Sequence, residues 1–332
     1  MRSLTVKILV VLAGAMYGPN VSLAAPMPVG IPDPGGMVPA AIMPTLPSAD
    51  AQRGAFPYDP IGTPTPTWTD ASNQYYVDGN NSSCRDSSNG GRGSQDAPRC
   101  TLPGLGRTSW DLKAGSEVFI VGNGAQYGDA RDLRSVRMNG SAAAPIWVIG
   151  VGETRPELRF KRFFWSQGTH VFFDNVHFRS PIDRFQMSWH SADGPIEYFT
   201  FRNLSCSGSE GTHSQPSRRC FSIGGNPRFV HRFVVFHNLD VWGLGRWQDD
   251  RVNSRDMLGF QVQKWSRYVW ILNSRIRHIQ GDSVMCGNSN WWDYDYASRP
   301  HYIYIGGNEM YENYENAYDQ KGCYHLVLSL IH

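Results

Sequence analysis

The chain has 332 residues, of which 31 are lysine or arginine and 29 are aspartate or glutamate. This near balance argues against nucleic acid or an anionic membrane as a partner that is held by bulk charge. The length is ample for one domain with a sizeable core.

Residues 1–24 have the pattern of a secretory signal peptide. Arg2 and Lys7 provide the positively charged start before an apolar run, and Ser22-Leu23-Ala24 forms a small-x-small cleavage site. The run is short for a membrane span, and no later stretch approaches its length, so we expect a secreted or periplasmic protein without a membrane partner. An uncleaved N-terminal anchor is the alternative.

Residues 25–73 are predicted to form an extended, disordered leader. Proline, alanine and glycine dominate this stretch up to about Thr67, with few charges, and such a composition cannot build a packed core. Order is expected to begin near Gln74, so the third predicted segment, residues 74–332, is the folded domain.

Six cysteines in an exported chain indicate disulfides. Two pairs flank loops rich in small polar residues, and the remaining two cysteines lie one to two repeats apart. We therefore expect the pairs Cys84–Cys100, Cys206–Cys220 and Cys286–Cys323. A zinc site is the rival interpretation, but the chain has no C-x-x-C motif.

An internal repeat dominates the folded part. Five segments read apolar, x, apolar, x, Asn or Gly, x, x, apolar, and their anchor positions are Asn175, Asn203, Asn238, Asn273 and Gly307. Leu326 begins a sixth copy, and Val118–Val121 and Ile146–Ile149 look like earlier coils. Alternating apolar residues make short strands with one face inward, and Asn or Gly tolerates the left-handed backbone of a corner.

Stacked coils of this size bury one continuous core. The repeat therefore predicts an all-β fold, a right-handed single-stranded parallel β-helix, since nearly all parallel crossovers are right-handed. A β-sandwich and a propeller are the alternatives, although a propeller blade needs four strands per repeat. Because the last coil breaks off without a polar cap, we expect a C-terminal truncation, or a partner that covers the end.

The segment from Tyr75 to Thr101, which contains Tyr-Val-Asp78, a Gly/Asn loop and Pro98, resembles the opening of many secreted right-handed β-helix proteins. Many of these are polysaccharide lyases of the pectate, alginate or chondroitin lyase type. The tail Asp319-Gln-Lys321 resembles an Asp-x-Lys element of such lyases. The resemblance implies the architecture and, more weakly, activity on uronic-acid polymers.

The densest group of ionisable residues lies in the last two coils. Asp282 and Asp319 differ by 37 positions, close to one repeat, so we expect them side by side on one outer face. The predicted calcium ligands are Asp282, Asp319, Glu312 and Glu315.

Lys321 is the predicted catalytic base for β-elimination, with calcium, or Arg275 and Arg277, neutralising the substrate carboxylate. The alternative is that all these charges are solvated groups on coil edges. Arginine makes up most of the basic residues, which suits binding to carboxylates but also fits a simple compositional bias.

Aromatic residues in or beside the predicted insertions are candidates for stacking on sugar rings, and those we assign to substrate binding are Trp247, Trp291, Trp292 and Tyr294. The predicted function is a lyase that acts as a monomer on an acidic polysaccharide. Alternatives are a non-catalytic carbohydrate-binding or surface protein, or an inactive truncated enzyme. A third option is a glycoside hydrolase using the Asp249-Asp250 pair.

Overall fold

A computed structural model describes residues 65–128, 132–179, 185–187, 194–208, 219–245, 257–287 and 295–329. The predicted signal peptide, most of the proline-rich leader, the Asp249-Asp250 pair and all four predicted sugar-stacking aromatics lie outside these ranges. In the part of the chain that the structure describes, no helix is long and apolar enough to cross a membrane.

Nearly all the regular secondary structure of the described residues is β-strand. One helical turn, α1, spans Ser88–Gly91. The strands in chain order are β1 Gln74–Val77, β2 Ser109–Leu112, β3 Glu117–Val121, β4 Gln126–Tyr127, β5 Asp132–Asn139, β6 Ile146–Val151, β7 Glu157–Arg159, β8 Arg162–Asp174, β9 His177–Arg179, β10 Phe185–Met187, β11 Ile196–Arg202, β12 Ser205–Ser207, β13 Arg219–Ile223, β14 His231–His237, β15 Asp240–Leu244, β16 Leu258–Val262, β17 Ser266–Leu272, β18 Arg275–Ile279, β19 Val284–Gly287, β20 His301–Gly306, β21 Glu309–Tyr311, β22 Tyr318–Lys321 and β23 Tyr324–Ser329.

Parallel pairing joins these strands into two sheets. Sheet B runs β4-β7-β9-β12-β15-β18-β21, and the larger sheet A holds the strands from two rows. Row A1 contains β2, β5, β10, β13, β16, β19 and β22, and row A2 contains β1, β3, β6, β11, β14, β17, β20 and β23. The long strand β8 belongs to both rows, because its first half pairs with β5 and β10 and its second half with β6 and β11.

Each complete coil visits row A1, row A2 and sheet B in turn, as β13, β14 and β15 do. The pairing follows the predicted repeat, because the first apolar residue of each copy lies in register with that of the next copy. These residues are Val171, Phe199, Val234, Val269, Ile303 and Leu326. The predicted parallel β-helix is therefore confirmed, and the early runs Val118–Val121 and Ile146–Ile149 lie in the coils where the sequence placed them.

The inward side chains form one core of stacked rings. Phe173, Phe201 and Phe236 occupy the same position in successive coils, with ring centroids 5.5 and 5.1 Å apart. All three are fully buried. Aromatic rings that repeat at the strand spacing bury a large apolar area and also stack on one another, so they hold the coils in register.

Asparagine turns the corner from row A2 into sheet B. Asn175, Asn203, Asn238 and Asn273 have φ values of 55°, 53°, 55° and 46°, and Gly307 continues the series at 65°. Asn238 Nδ2 donates to Asn203 Oδ1 at 2.7 Å, so the corners are also linked from coil to coil. Short polar side chains tolerate this left-handed backbone better than bulky ones do.

The three disulfides join Cys84 to Cys100, Cys206 to Cys220 and Cys286 to Cys323, which are the pairs that the spacing indicated. Cys206 and Cys220 are both buried, and their bond joins β12 of sheet B to β13 of row A1. Disulfides of this number are typical of proteins that reside in an oxidising compartment.

The left-handed corner gives a test of the fold. Replacing Asn238 by valine places a β-branched side chain at φ 55°, and we expect the free energy of unfolding to fall by about 2 kcal/mol. Asn238→Gly loses the hydrogen bond to Asn203 but keeps the permitted backbone, so it costs less than about 1 kcal/mol. Urea denaturation measures both values. Equal losses in the two variants would contradict a steric role for the corner.

Candidate functional site

The outward side of sheet B, which we call face B, is an ordered array of polar, charged and aromatic residues. In each strand of sheet B from β7 to β21, the second residue points into the core, and the first and third residues point outward. The register aligns these outward residues into two columns. Column 1 is Glu157, His177, Ser205, Asp240, Arg275 and Glu309, and column 2 is Arg159, Arg179, Ser207, Trp242, Arg277 and Tyr311.

Arginine is the main cation of face B. Arg277 makes two hydrogen bonds to the carboxylate of Asp240, with Nη2 to Oδ2 at 3.3 Å, and its guanidinium lies 5.4 Å from the centre of the Trp242 ring. Arg179 Nη1 lies 3.4 Å from Glu157 Oε2. The flat guanidinium of Arg277 is thus fixed by a carboxylate and an indole together.

The Arg275–Glu309 pair is the most accessible ion pair of the array. Arg275 Nε lies 3.0 Å from Glu309 Oε2, and the two side chains are 52% and 53% exposed. Ion pairs this exposed contribute only about 0–1 kcal/mol to stability. A ligand carboxylate can therefore replace Glu309 beside Arg275 at little cost.

His177 lies between two hydroxyl groups. Its Nδ1 is 2.8 Å from Ser205 Oγ and its Nε2 is 3.2 Å from Ser207 Oγ. The ring also stacks on Trp242, with centroids 5.4 Å apart. Burial lowers the pKa of His177 below its ordinary value, although the charge of Glu157 opposes this shift, so the neutral imidazole predominates at pH 7.

A groove of about 430 Å³ follows the corner between row A2 and column 1. Its lining residues are predominantly polar: Arg155, Asn238, Leu239, Asp240, Asn273, Ser274, Arg275, Gly307 and Glu309. The corner asparagines thus form one wall of the groove, and the carboxylates and arginines of face B form the other. The groove and the columns make one continuous surface.

The predicted catalytic residues do not come together. Arg275 and Arg277 lie in β18 of sheet B, whereas Lys321 ends β22 in row A1 of sheet A. Lys321 Nζ is 2.8 Å from Asp319 Oδ2, and the lysine is only about a third exposed. Lys321 therefore lies in a different sheet from the two arginines.

The expected alignment of Asp282 with Asp319 is wrong. The β19–β22 register places Asp319 beside Met285, because the offset between these coils is 34 residues rather than 37. Asp282 is fully buried, and its Oδ1 accepts hydrogen bonds from the backbone N–H and the side-chain Nδ2 of Asn316. Its place is inside the coil stack, not on an outer face.

The other two predicted calcium ligands are also separate. Glu312 Oε2 lies 2.6 Å from His278 Nε2, and Glu315 follows in an exposed turn. In the described ranges, no group of three or more His, Cys, Asp or Glu side chains is arranged to hold a metal ion. The four residues therefore do not form one cluster in the described part of the chain.

Comparisons of the chain with protein-family models, with curated proteins and with solved structures found no match.

Acid should weaken the wall of the groove through His237, whose Nε2 lies 3.5 Å from Asn273 Nδ2. Burial, assisted by Arg202, lowers the pKa of His237 to about 4. The unfolded histidine has its ordinary pKa near 6.5, so between pH 6.5 and 4 the unfolded state binds more protons than the folded state. The free energy of unfolding therefore decreases as the pH is lowered through this range. By pH 5 the loss is about 2 kcal/mol.

We expect His237→Gln to remove this share of the acid sensitivity, because the amide does not titrate. The measurement is the free energy of unfolding of both proteins at pH 7 and pH 5. An identical pH dependence in the wild-type chain and His237→Gln would refute the assignment.

Proposed function

We propose that this chain is an exported protein that binds an acidic polysaccharide along face B and its groove. The observation that carries the proposal is the accessible Arg275 beside the fixed Arg277, both on an extended surface that also presents Trp242 and Tyr311. Arginine forks match the geometry of carboxylates, and aromatic side chains pack on sugar rings.

The shape of face B suits a polymer better than a small molecule. Seven strands at a spacing of about 4.8 Å make sheet B about 29 Å long, and the accessible residues of face B flank the buried Ser205 and Ser207 of β12. The groove beside column 1 is shallow and polar, whereas sites for small ligands are enclosed and mostly apolar. A linear chain of charged sugars fits such a surface along its length.

Polymer retention in an affinity gel tests this proposal. We expect Arg275→Ala and Arg277→Ala each to weaken binding to alginate or pectate roughly fivefold to tenfold, since each removes about 1 kcal/mol of charge-assisted hydrogen bonding. Added salt should weaken binding of the wild-type chain as well. Arg85→Ala, in the exposed loop near Cys84, is the matched control and should bind normally.

A neutral glucan should not be retained. Two results would contradict the proposed role of the arginines. One is equal retention of the protein by neutral and acidic polymers, and the other is unchanged retention of Arg275→Ala and Arg277→Ala by the acidic polymer.

The second candidate function is β-elimination on a uronic-acid polymer, and the observation that favours it is neutral His177 on the same strand as Arg179. In this reaction a base removes the C5 proton, the electron pair forms the C4–C5 double bond, and the bond from C4 to the glycosidic oxygen breaks. The leaving oxygen then takes up a proton from water, and the protonated base returns its proton to the solvent. His177 supplies the base, and Arg179 neutralises the sugar carboxylate.

Elimination creates an unsaturated sugar that absorbs in the ultraviolet. We expect His177→Gln to abolish this signal while polymer retention in the gel persists, because the base acts mainly in the transition state. Lys321→Ala should retain full turnover, since Lys321 lies in the other sheet. Loss of turnover in Lys321→Ala alone would instead support the base that the sequence predicted. No absorbance with any uronan, together with normal retention, would leave binding as the function.

A further inference from the structure

The corner between rows A1 and A2 carries a local excess of positive charge. The chain passes through this corner in successive coils at residues 224–233, 263–268 and 295–302, and we call these three passages together the basic corner. They contain one acidic residue, Asp295, and five basic residues, which are Arg228, Arg232, Lys264, Arg267 and Arg299. Face B differs, because its two columns place three carboxylates among four arginines.

Direct contacts join the three passages into one surface. Gly225 N donates to Lys264 O at 2.9 Å, and Trp265 N donates to Ser298 O at 2.7 Å. The guanidinium of Arg267 also donates to backbone carbonyl oxygens of the third passage. Because each passage belongs to the next coil, the basic corner is a continuous strip that runs along the coil stack.

Arginines of the basic corner lie over aromatic rings, as on face B. The guanidinium carbon of Arg228 is 5.1 Å from the centre of the Phe229 ring, and that of Arg299 is 4.9 Å from the centre of the Tyr324 ring. The Arg228 side chain is exposed to solvent. Stacking on a ring fixes the plane of a guanidinium and leaves the N–H groups at its edge able to bind an anion.

An exposed tyrosine indicates which polyanion fits this strip. Tyr296 is 59% exposed, and its ring packs against that of Tyr324 with the centroids 4.9 Å apart. Tyrosine rings pack on the faces of sugars, and arginine pairs with carboxylates. The disulfides indicate an oxidising compartment, which favours a polysaccharide over nucleic acid as the partner.

Row A2 separates the basic corner from face B. Its strands β14 and β17 are each seven residues long, so the two surfaces lie about 20 Å apart. Both surfaces run along the coil stack. A polymer segment that lies along the columns of face B therefore does not also lie in the basic corner, which has room for a second chain.

We propose that the basic corner is a second binding surface for acidic polysaccharide, and that one protein molecule bridges two polymer chains, one at each surface. The bridging rests on the proposed function of face B, whereas binding at the basic corner stands without it. A protein with two such surfaces cross-links the polymer instead of only coating it.

Calorimetric titration with a short oligosaccharide prepared from alginate counts the sites. We expect two sites in the wild-type chain and one in the corner variant, Arg228→Ala with Arg299→Ala, because loss of two charged donors should weaken binding there at least about tenfold. The face-B variant, Arg275→Ala with Arg277→Ala, should also keep one site. Arg228→Lys with Arg299→Lys keeps both charges and should restore the second site, which separates loss of charge from damage to the fold.

Light scattering from long alginate measures the bridging. The wild-type chain should raise the scattering strongly, and both double variants should not, since each keeps a single surface.

The outcomes separate the two surfaces. One wild-type site that is lost only in the face-B variant would overturn the basic corner and leave the proposed function intact. One wild-type site that is lost only in the corner variant would overturn the bridging and face B, but would support the basic corner. Absence of any site would overturn both. Tighter binding of a single-stranded oligonucleotide than of the oligosaccharide, abolished in the corner variant, would overturn the assignment to polysaccharide.

Discussion

The left-handed backbone at each corner is the constraint on which the architecture depends. A coil closes over itself only if the chain turns sharply between row A2 and sheet B, and it stacks only if every coil turns at the same place. Asparagine or glycine provides that turn at five successive corners, from Asn175 to Gly307. Once the corners are aligned, strand pairing aligns the core rings, and the outward residues of sheet B are aligned into columns as well.

A second series of residues with a left-handed backbone occurs where row A1 passes into row A2. It is unusual because its members are bulky rather than Asn or Gly. His170, Tyr198, Phe233, Tyr268, Tyr302 and His325 all have φ between 50° and 60°. Bulky residues rarely adopt this backbone, which costs on the order of 1 kcal/mol or more at each site. Their rings stack from coil to coil at 4.5–5.0 Å, and this stacking offsets the backbone cost.

The sequence was sufficient to predict the fold because the repeat combines two local signals, alternation and a corner residue, at nearly constant spacing. It also indicated the disulfides, since each pair flanks a loop or spans neighbouring coils. The aromatic series was missed although its members share the spacing of the corners. An aromatic residue before a strand is ordinarily taken for a core residue, and nothing in a single sequence reveals a positive φ outside Asn and Gly.

Function was harder to predict for a physical reason. Which residues share a surface depends on the length of each coil. The sequence predicted an offset of 37 residues between the last two coils where the structure has 34, so Asp282 was expected on an outer face but is buried beside Asn316. The array on face B consists of residues two apart in short strands, and the columns become visible only when six strands are placed in register. Arg275 and Arg277 were identified as anion-binding candidates from the sequence, but Trp242 and His177 as their neighbours were not.

Because each coil contributes one residue to each column of face B, the coil is also a unit of evolutionary change. Duplication of one coil would lengthen both columns by one place without disturbing the pairs on either side of the insertion. Loss of one coil would shorten them in the same way. A lineage that carries this scaffold can therefore adjust the number of subsites along its surface by unequal recombination, while the corner that makes each coil possible stays the same.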